Sequence, residues 1–156
     1  MRYFNAVGYD VEGKIKGKEK NPSNLLPVVM ETISGMREKM QVFGDDWQTS
    51  DGTCIRDYVH VNDLASAHLM AMEYIVENDK DLLVNLGTGG GNTVLEMINT
   101  AEKVTGKKVN YEIVGKRDGD PQEVIASSEL AFKLLGWKAQ YSDLETIFKT
   151  MAGVYL

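Results

Sequence analysis

Arg56 is the residue whose type and setting best suit chemistry with a phosphate. It lies in the segment Asp51–Leu64, between a turn dipeptide, Asp51-Gly52, and the start of a predicted helix. Apolar residues flank it, which predicts a short, half-buried strand. A planar guanidinium on a strand end can donate two parallel charge-assisted hydrogen bonds to a phosphate. The alternative is an ordinary surface pair with Asp57 or another carboxylate.

A second positive site follows the alternating segment Val109–Val114, which predicts a strand. The strand leads into Gly115-Lys-Arg-Asp-Gly-Asp-Pro121, so that Arg117 and Asp120 share one loop. The guanidinium of Arg117, like that of Arg56, can donate two parallel hydrogen bonds to one phosphate. The alternative is a Gly/Asp turn with solvated surface charges.

The other chemically capable residues are interpreted as structural. Cys54 is the single cysteine, no histidine is placed by the sequence as its base, and such a residue is usually a small buried hydrophobe. His68 falls on the apolar stripe of a predicted helix and is expected to be a hydrogen-bonded core residue, whereas His60 precedes that helix and is expected to be a structural hydrogen-bonding residue. No catalytic residue is predicted. No metal site is predicted either, since the loop carboxylates lack the spacing of a calcium loop; they are Asp45, Asp46 and Asp51.

Composition excludes several classes of function. The chain has 156 residues, 43% of them hydrophobic and 26% charged, with a net charge of −6. That size predicts a single domain over 1–156. Without a Lys/Arg cluster, neither a nucleic acid nor a membrane surface is expected as a partner. No apolar run reaches membrane-spanning length, and one cysteine without a disulfide favours a reducing, cytoplasmic location.

Periodicity predicts an α/β fold with a few short strands and four to five helices. The expected helices begin near Asn24, Asn62, Thr93, Ser128 and Ser142. Asn24, Asn62 and Asp63 are suited to capping, and Thr93–Glu96 and Ser142–Glu145 have the pattern of capping boxes. The expected strands are Met1–Val7, Met40–Phe43, Ile55–Val59, Leu82–Leu86 (parallel and buried on both faces) and Val109–Val114.

The glycine-rich segment Gly87–Gly91 has a composition that could bind the phosphates of a dinucleotide. The G-x-G-x-x-G spacing is absent, because Asn92 stands where the third glycine would be. The segment is therefore interpreted as a tight turn between a strand and a helix.

Several segments, in order along the chain, resemble the UDP-glucose 4-epimerases of the extended short-chain dehydrogenase/reductase superfamily. The longest is Asp51-Gly-Thr-Cys-Ile-Arg-Asp-Tyr-Val-His-Val-Asn-Asp-Leu-Ala65. The others are Arg2-Tyr-Phe-Asn5, Asn24-Leu-Leu-Pro27, Val42-Phe-Gly-Asp-Asp46, Asn85-Leu-Gly-Thr-Gly89 and Arg117-Asp-Gly-Asp120. The resemblance covers the C-terminal, substrate-binding portion of such an enzyme, and so implies a piece of a longer protein without the Rossmann unit.

The resemblance implies a UDP-sugar as ligand and assigns a site to it. Arg56 and Arg117 would bind the diphosphate and Asp120 the ribose. The remaining implied contacts are Asn5, Asn24 and Leu25 near the diphosphate, Gln41 and Phe43 at the uracil, and Val124 at the sugar. A large aromatic residue at the position of Val124 favours glucose and galactose, so this small side chain predicts room for an N-acetyl group.

In the complete enzyme, NAD removes a hydride from sugar C4 and returns it, and a tyrosine with a lysine four residues later assists. This chain has no Tyr-x-x-x-Lys pattern: Gly115 stands four residues after Tyr111. We therefore expect it to bind no NAD and to be inactive alone, with a missing or separately encoded NAD-binding half as partner. The alternative is a non-catalytic remnant that binds or self-associates through an exposed inter-domain face.

Overall fold

The computed structural model describes residues 1–156 as a mixed α/β structure with five helices and seven short strands, which confirms the predicted class. The helices are α1 (Leu25–Ser34), α2 (Val61–Asn78), α3 (Val94–Thr105), α4 (Glu129–Leu135) and α5 (Leu144–Tyr155). The strands are β1 (Asn5–Val7), β2 (Met40–Phe43), β3 (Ile55–Arg56), β4 (Tyr58–His60), β5 (Asn92–Thr93), β6 (Tyr111–Val114) and β7 (Glu123–Val124). No helix is both long and apolar enough to cross a membrane.

The strands form three small sheets with mostly parallel pairing. β1 pairs with β4, and β2 pairs with β6, with Phe43 opposite Val114. β3 lies between β5, which is antiparallel to it, and β7, which is parallel. Because parallel strands end at the same edge, the loop after β6 lies beside the end of β2.

Two apolar clusters hold these elements together. The larger, with 18 buried residues, joins α1, α3 and α5 to β2 through side chains such as Ile33, Met97 and Phe148. The smaller, with 7 buried residues, surrounds Trp137 and contacts the inner face of α2 through Ala67. The larger cluster lies beneath β2, and so it fixes one wall of the site described below.

The predicted helices are found, with two corrections at their caps. Thr93 and Glu96 form the expected capping box of α3. α2 begins one residue earlier than predicted, because His60 rather than Asn62 or Asp63 is its cap: His60 Nδ1 accepts from the Asn62 amide at 3.1 Å. Burial lowers the pKa of His60, which favours the neutral ring that this bond requires.

At α5 the cap is Asp143, which accepts from the Thr146 amide at 2.9 Å. The predicted cap, Ser142, instead donates to Asp63 at 2.6 Å. The capping-box interpretation of Ser142–Glu145 was therefore wrong by one residue. Asp143 is the cap of α5, and the Ser142 hydroxyl is bound by the buried carboxylate of Asp63 instead.

The predicted strand Leu82–Leu86 is wrong. The segment forms only an isolated parallel bridge between Asn85 and Arg2. Val84 and Leu86 are buried, but Leu83 is 61% exposed, so only one face is covered. A run of apolar residues does not reveal whether both faces have partners.

The apolar stripe predicted on α2 is only partly buried. Ala67 and Ala71 face the core, whereas Met72 is 58% exposed and Ile75 is 43% exposed. His68 is exposed as well, and its ring makes a T-shaped contact with that of Tyr3. The expectation that His68 is a core residue was therefore wrong, because α2 packs through its small residues and leaves a second apolar face uncovered.

Asp63 ties α2 to the segment that precedes α5. Its buried carboxylate accepts from the amides of Gln140 and Tyr141 at 2.8 and 2.9 Å, besides the Ser142 hydroxyl. Because its three donors lie on one segment, this carboxylate connects α2 to residues 140–142.

Replacing Asp63 with alanine should lower the free energy of unfolding by about 3 kcal/mol, because three donors lose their acceptor. Urea unfolding followed by circular dichroism measures this change. Asp81→Ala is the matched control, since Asp81 is exposed and its loss should cost less than about 0.5 kcal/mol. Equal losses in the two variants would contradict the assignment.

Candidate functional site

A cleft of about 730 Å³ lies between the ends of β1, β2 and β3, the start of α1 and the loop after β6. We call it the arginine cleft. The predicted site residues that line it are Asn5, Asn24, Leu25, Gln41, Phe43, Arg56, Arg117 and Asp120. Residues far apart in sequence therefore converge here, where β2 pairs with β6 and β3 pairs with β7.

Arg56 is held firmly on β3. Its side chain is 16% exposed. Nη1 donates to the Ile55 carbonyl at 2.7 Å, and Nη2 donates to Asp120 Oδ1 at 3.3 Å. A guanidinium has five N–H donors, so several remain for a ligand. Of the alternative pairs, the one with Asp57 is wrong, since the Asp57 carboxylate is engaged elsewhere, whereas a pair with another carboxylate is found, because Asp120 is partly exposed and pairs with Arg56.

Asp57 is buried and accepts hydrogen bonds from two other segments. The amide and hydroxyl of Thr88 donate to Oδ1 at 3.1 and 2.6 Å, and the Ala126 amide donates to Oδ2 at 3.2 Å. The Asn5 amide group donates to the Asp57 carbonyl at 2.8 Å. These bonds fix β3 and β4 against the 87–91 segment and the end of β7, and thereby fix the backbone that carries Arg56.

Arg117 covers the face of Phe43, with its guanidinium carbon 3.8 Å from the ring centroid. Its Nε lies 4.0 Å from Asp120 Oδ2. Beside it, Lys116 Nζ lies 4.1 Å from the centroid of the Trp47 ring and 2.8 Å from Asp46 Oδ1. Stacking holds Arg117 over an apolar ring, although its side chain is 59% exposed.

Asn24 occupies the cap position of α1, yet its side chain makes no capping hydrogen bond. The capping prediction was therefore right for the backbone and wrong for the side chain. The exposed amide lies at the cleft, next to a helix start with no acidic residue in its first turn. An uncompensated helix N-terminus favours an anion.

Among the lining residues that sequence reasoning missed are Cys54 and Tyr58. Both are buried, and burial raises the pKa of each. The Cys54 thiol is thus held neutral, in agreement with its interpretation as a structural residue. Their spacing could have identified them, because alternate residues of an extended chain share a face with Arg56.

Val124 is not among the residues that line the arginine cleft. It lies half-buried on β7, opposite Arg56 in the parallel register. It therefore neighbours the site without forming its wall.

A larger cleft, of about 860 Å³, lies elsewhere, between the 87–89 segment and α4. Lys138 is its single basic residue, and it is accompanied by Glu129 and Asp143. This balance of charge does not suit an anion, so the arginine cleft is the better candidate despite its smaller volume.

The segment Gly87–Gly91 does not fit the phosphates of NAD. A Cβ on Gly87 would lie 2.5 Å from both the Ala126 carbonyl and Asp57 Oδ2, and one on Gly91 would clash with Ile55. These glycines thus permit close packing within the chain. The N-terminus of α3 is already satisfied by its own Thr93–Glu96 box, which supports the interpretation of this segment as a turn.

The loop carboxylates do not converge on a metal. Asp46 pairs with Lys116, while Asp51 accepts from the hydroxyls of Thr53 and Thr93. No group of three metal-ligating side chains is found in the chain.

Comparison with known proteins gives consistent matches. The UDP-glucose 4-epimerase of Halalkalibacterium halodurans is 47% identical over 148 residues, which cover 94% of this chain and 44% of that protein. A crystal structure of UDP-glucose-4-epimerase from Stenotrophomonas maltophila, with bound NAD and formylated UDP-arabinopyranose, is 41% identical with a TM-score of 0.94, over 99% of this chain and 46% of that one. The UDP-Glc/GlcNAc 4-epimerase of Campylobacter jejuni is 39% identical with a TM-score of 0.80, over 96% and 45%.

These matches confirm the resemblance to UDP-glucose 4-epimerases. The chain spans less than half the length of the relatives named here. Residues 1–87 match the NAD dependent epimerase/dehydratase family. Since that match covers more than half of the chain, the protein belongs to the NAD dependent epimerase/dehydratase family.

Proposed function

We propose that this chain is the UDP-sugar-binding portion of a UDP-glucose 4-epimerase and that residues 1–156 act as one binding domain. The observation that carries the proposal is the convergence of Arg56 and Arg117 in one cleft, with Asp120 between them. Further support comes from the related structure whose ligand is a formylated UDP-arabinopyranose.

The diphosphate is bound by the two arginines. Arg56 is pre-organised, because its backbone is fixed by the Asp57 bonds and its Nη1 by a carbonyl. Arg117 is more exposed and can adjust to the second phosphate. Asn24 and the Leu25 amide assist at the helix start, together with Asn5.

The nucleoside lies against β2 and the loop after β6. Phe43 offers an aromatic face to the uracil, once Arg117 leaves that face for the phosphate. Gln41, whose amide donates to Glu112 at 3.3 Å, borders the same wall. Asp120 accepts from the ribose hydroxyls.

The chain alone binds substrate without turnover, and catalysis requires an NAD-binding half. The poor fit of Gly87–Gly91 to a dinucleotide supports this division. A lone buried cysteine, Cys54, supports a cytoplasmic location.

Arg56→Ala should weaken UDP binding by about 2–4 kcal/mol, since it removes a desolvated cation from the diphosphate. Calorimetric titration of the full chain measures the loss. Arg2→Ala, at an exposed arginine outside the cleft, should change binding by less than about 0.5 kcal/mol. A comparable effect of both variants, or 4-epimerase turnover by the chain with added NAD, would contradict the proposal.

Val124 leaves space for an N-acetylated sugar. The printed name of the Campylobacter jejuni relative, UDP-Glc/GlcNAc 4-epimerase, supports a pocket of this kind within the family. The half-buried position of Val124 beside Arg56 puts a larger side chain within reach of the sugar.

Val124→Tyr should weaken binding of UDP-N-acetylglucosamine about tenfold or more while changing UDP-glucose affinity less, because the ring fills the space of the acetyl group. Competition against labelled UDP gives both affinities. Val124→Ile, which adds little volume, is the control. Strong rejection of the acetylated sugar by the unmodified chain would contradict the prediction.

A second candidate function is non-catalytic association through α2. Its outward face exposes Leu69 (54%), Met72 (58%) and Val76 (77%). Such a face invites either a second copy of this chain or an NAD-binding half.

Light scattering and UDP titration separate the two functions. A monomer that binds UDP supports the first, and an oligomer that does not bind UDP supports the second. Under the second, Val76→Lys should restore the monomer, because it adds a charge to the apolar face. Val11→Lys, at an exposed valine outside α2, should leave the oligomer intact.

A further inference from the structure

We propose that the Asp120 carboxylate makes the arginine cleft selective, so that it rejects pyrophosphate and other phosphates that lack a neighbouring diol. The inference rests on the proposed function, which it deepens by assigning the cause of ligand selectivity. The proposal concerns the anions that the cleft does not bind, rather than the ligand that it binds.

In the free chain, Asp120 occupies the space between the two guanidinium groups. Oδ1 lies 3.3 Å from Arg56 Nη2, and Oδ2 lies 4.0 Å from Arg117 Nε. Its side chain is 31% exposed, so an incoming ligand reaches it. A phosphate bound to both arginines must therefore lie beside this carboxylate or displace it.

The loop holds the carboxylate in this place. Gly119 has φ +79°, a conformation that favours glycine, and the Asp120 amide donates to the Arg117 carbonyl at 3.3 Å. This turn brings the Asp120 carboxylate back toward Arg117, so the backbone conformation itself places the two opposite charges close together.

The remaining cations of the cleft cannot offset Asp120. Arg37 already pairs with Glu31 at 2.8 Å, and Lys39 pairs with Glu112 at 2.6 Å. Two guanidinium groups and one carboxylate leave a local charge of +1 for a ligand with two or more negative charges. An anion in contact with Asp120 therefore meets a like charge and competes with it for the two guanidinium groups.

A diol beside the diphosphate reverses this repulsion. An ionised carboxylate only accepts hydrogen bonds, and its two oxygens can take one hydroxyl each. A nucleoside diphosphate thus pairs the carboxylate, whereas pyrophosphate leaves it unpaired and facing phosphate oxygens. Leaving a polar group of the site unpaired is an effective way to reject a wrong ligand.

The test is titration of the full chain with pyrophosphate, UDP and 2′,3′-dideoxyuridine diphosphate, before and after Asp120→Asn. We expect the variant to bind pyrophosphate and the dideoxy nucleotide about tenfold more tightly, because a like charge is removed. UDP, which loses its ionised acceptor, should bind no more tightly than before.

Asp118→Asn is the matched control, since it removes the same charge from the same loop at an exposed residue outside the cleft. It should change each affinity by less than about twofold, because exposed charges are screened. Pyrophosphate binding that tightens no more in Asp120→Asn than in Asp118→Asn would overturn the proposal, as would equal tightening for all three ligands. If the unmodified chain does not bind UDP, the proposed function fails, while the pyrophosphate comparison still decides the role of Asp120.

Discussion

The buried carboxylate of Asp57 is the interaction on which the site depends. It accepts from Thr88 and Ala126, while the carbonyl of the same residue accepts from Asn5. Four segments that are distant in sequence thus meet at one residue. An ionised carboxylate inside a protein is costly unless each oxygen is hydrogen-bonded, and here both are. The resulting fixed backbone lets the adjacent Arg56 present its guanidinium without first being ordered by a ligand.

Local sequence signals predicted the positions of the helices because periodicity is local, although the caps of α2 and α5 are other residues than predicted. The Thr93–Glu96 box and the left-handed Gly106 bound α3 as expected. The failures lie where a partner decides the outcome. Leu82–Leu86 has apolar residues but only a single bridge, and the outer face of α2 has the pattern of a core helix without a covering element. Periodicity in the sequence identifies the apolar face of a helix or strand, but it does not identify the element that packs against that face.

The site shows the same division. Arg56 was recognised as a phosphate-binding candidate from its residue type and setting, and Arg117 through the resemblance to UDP-glucose 4-epimerases. Their convergence depended on two parallel pairings, of β2 with β6 and of β3 with β7. The free side chain of Asn24 could not be predicted, since a capping asparagine and an uncommitted one have the same sequence signal. The placement of Asp120 between two cations likewise depends on tertiary structure.

The pairing of the strands has a consequence for how the chain folds. β1 pairs with β4 and β2 with β6, so residues as far apart in sequence as Met40 and Tyr111 must come together. No pair of strands is joined by a two-residue hairpin. Such distant contacts must overcome a large loss of chain entropy before they contribute stability, and they slow folding. During synthesis, the helices α1 and α2 can form first, but the wall that bears Arg117 exists only after β6 has left the ribosome. The arginine cleft is therefore among the last parts of the protein to form.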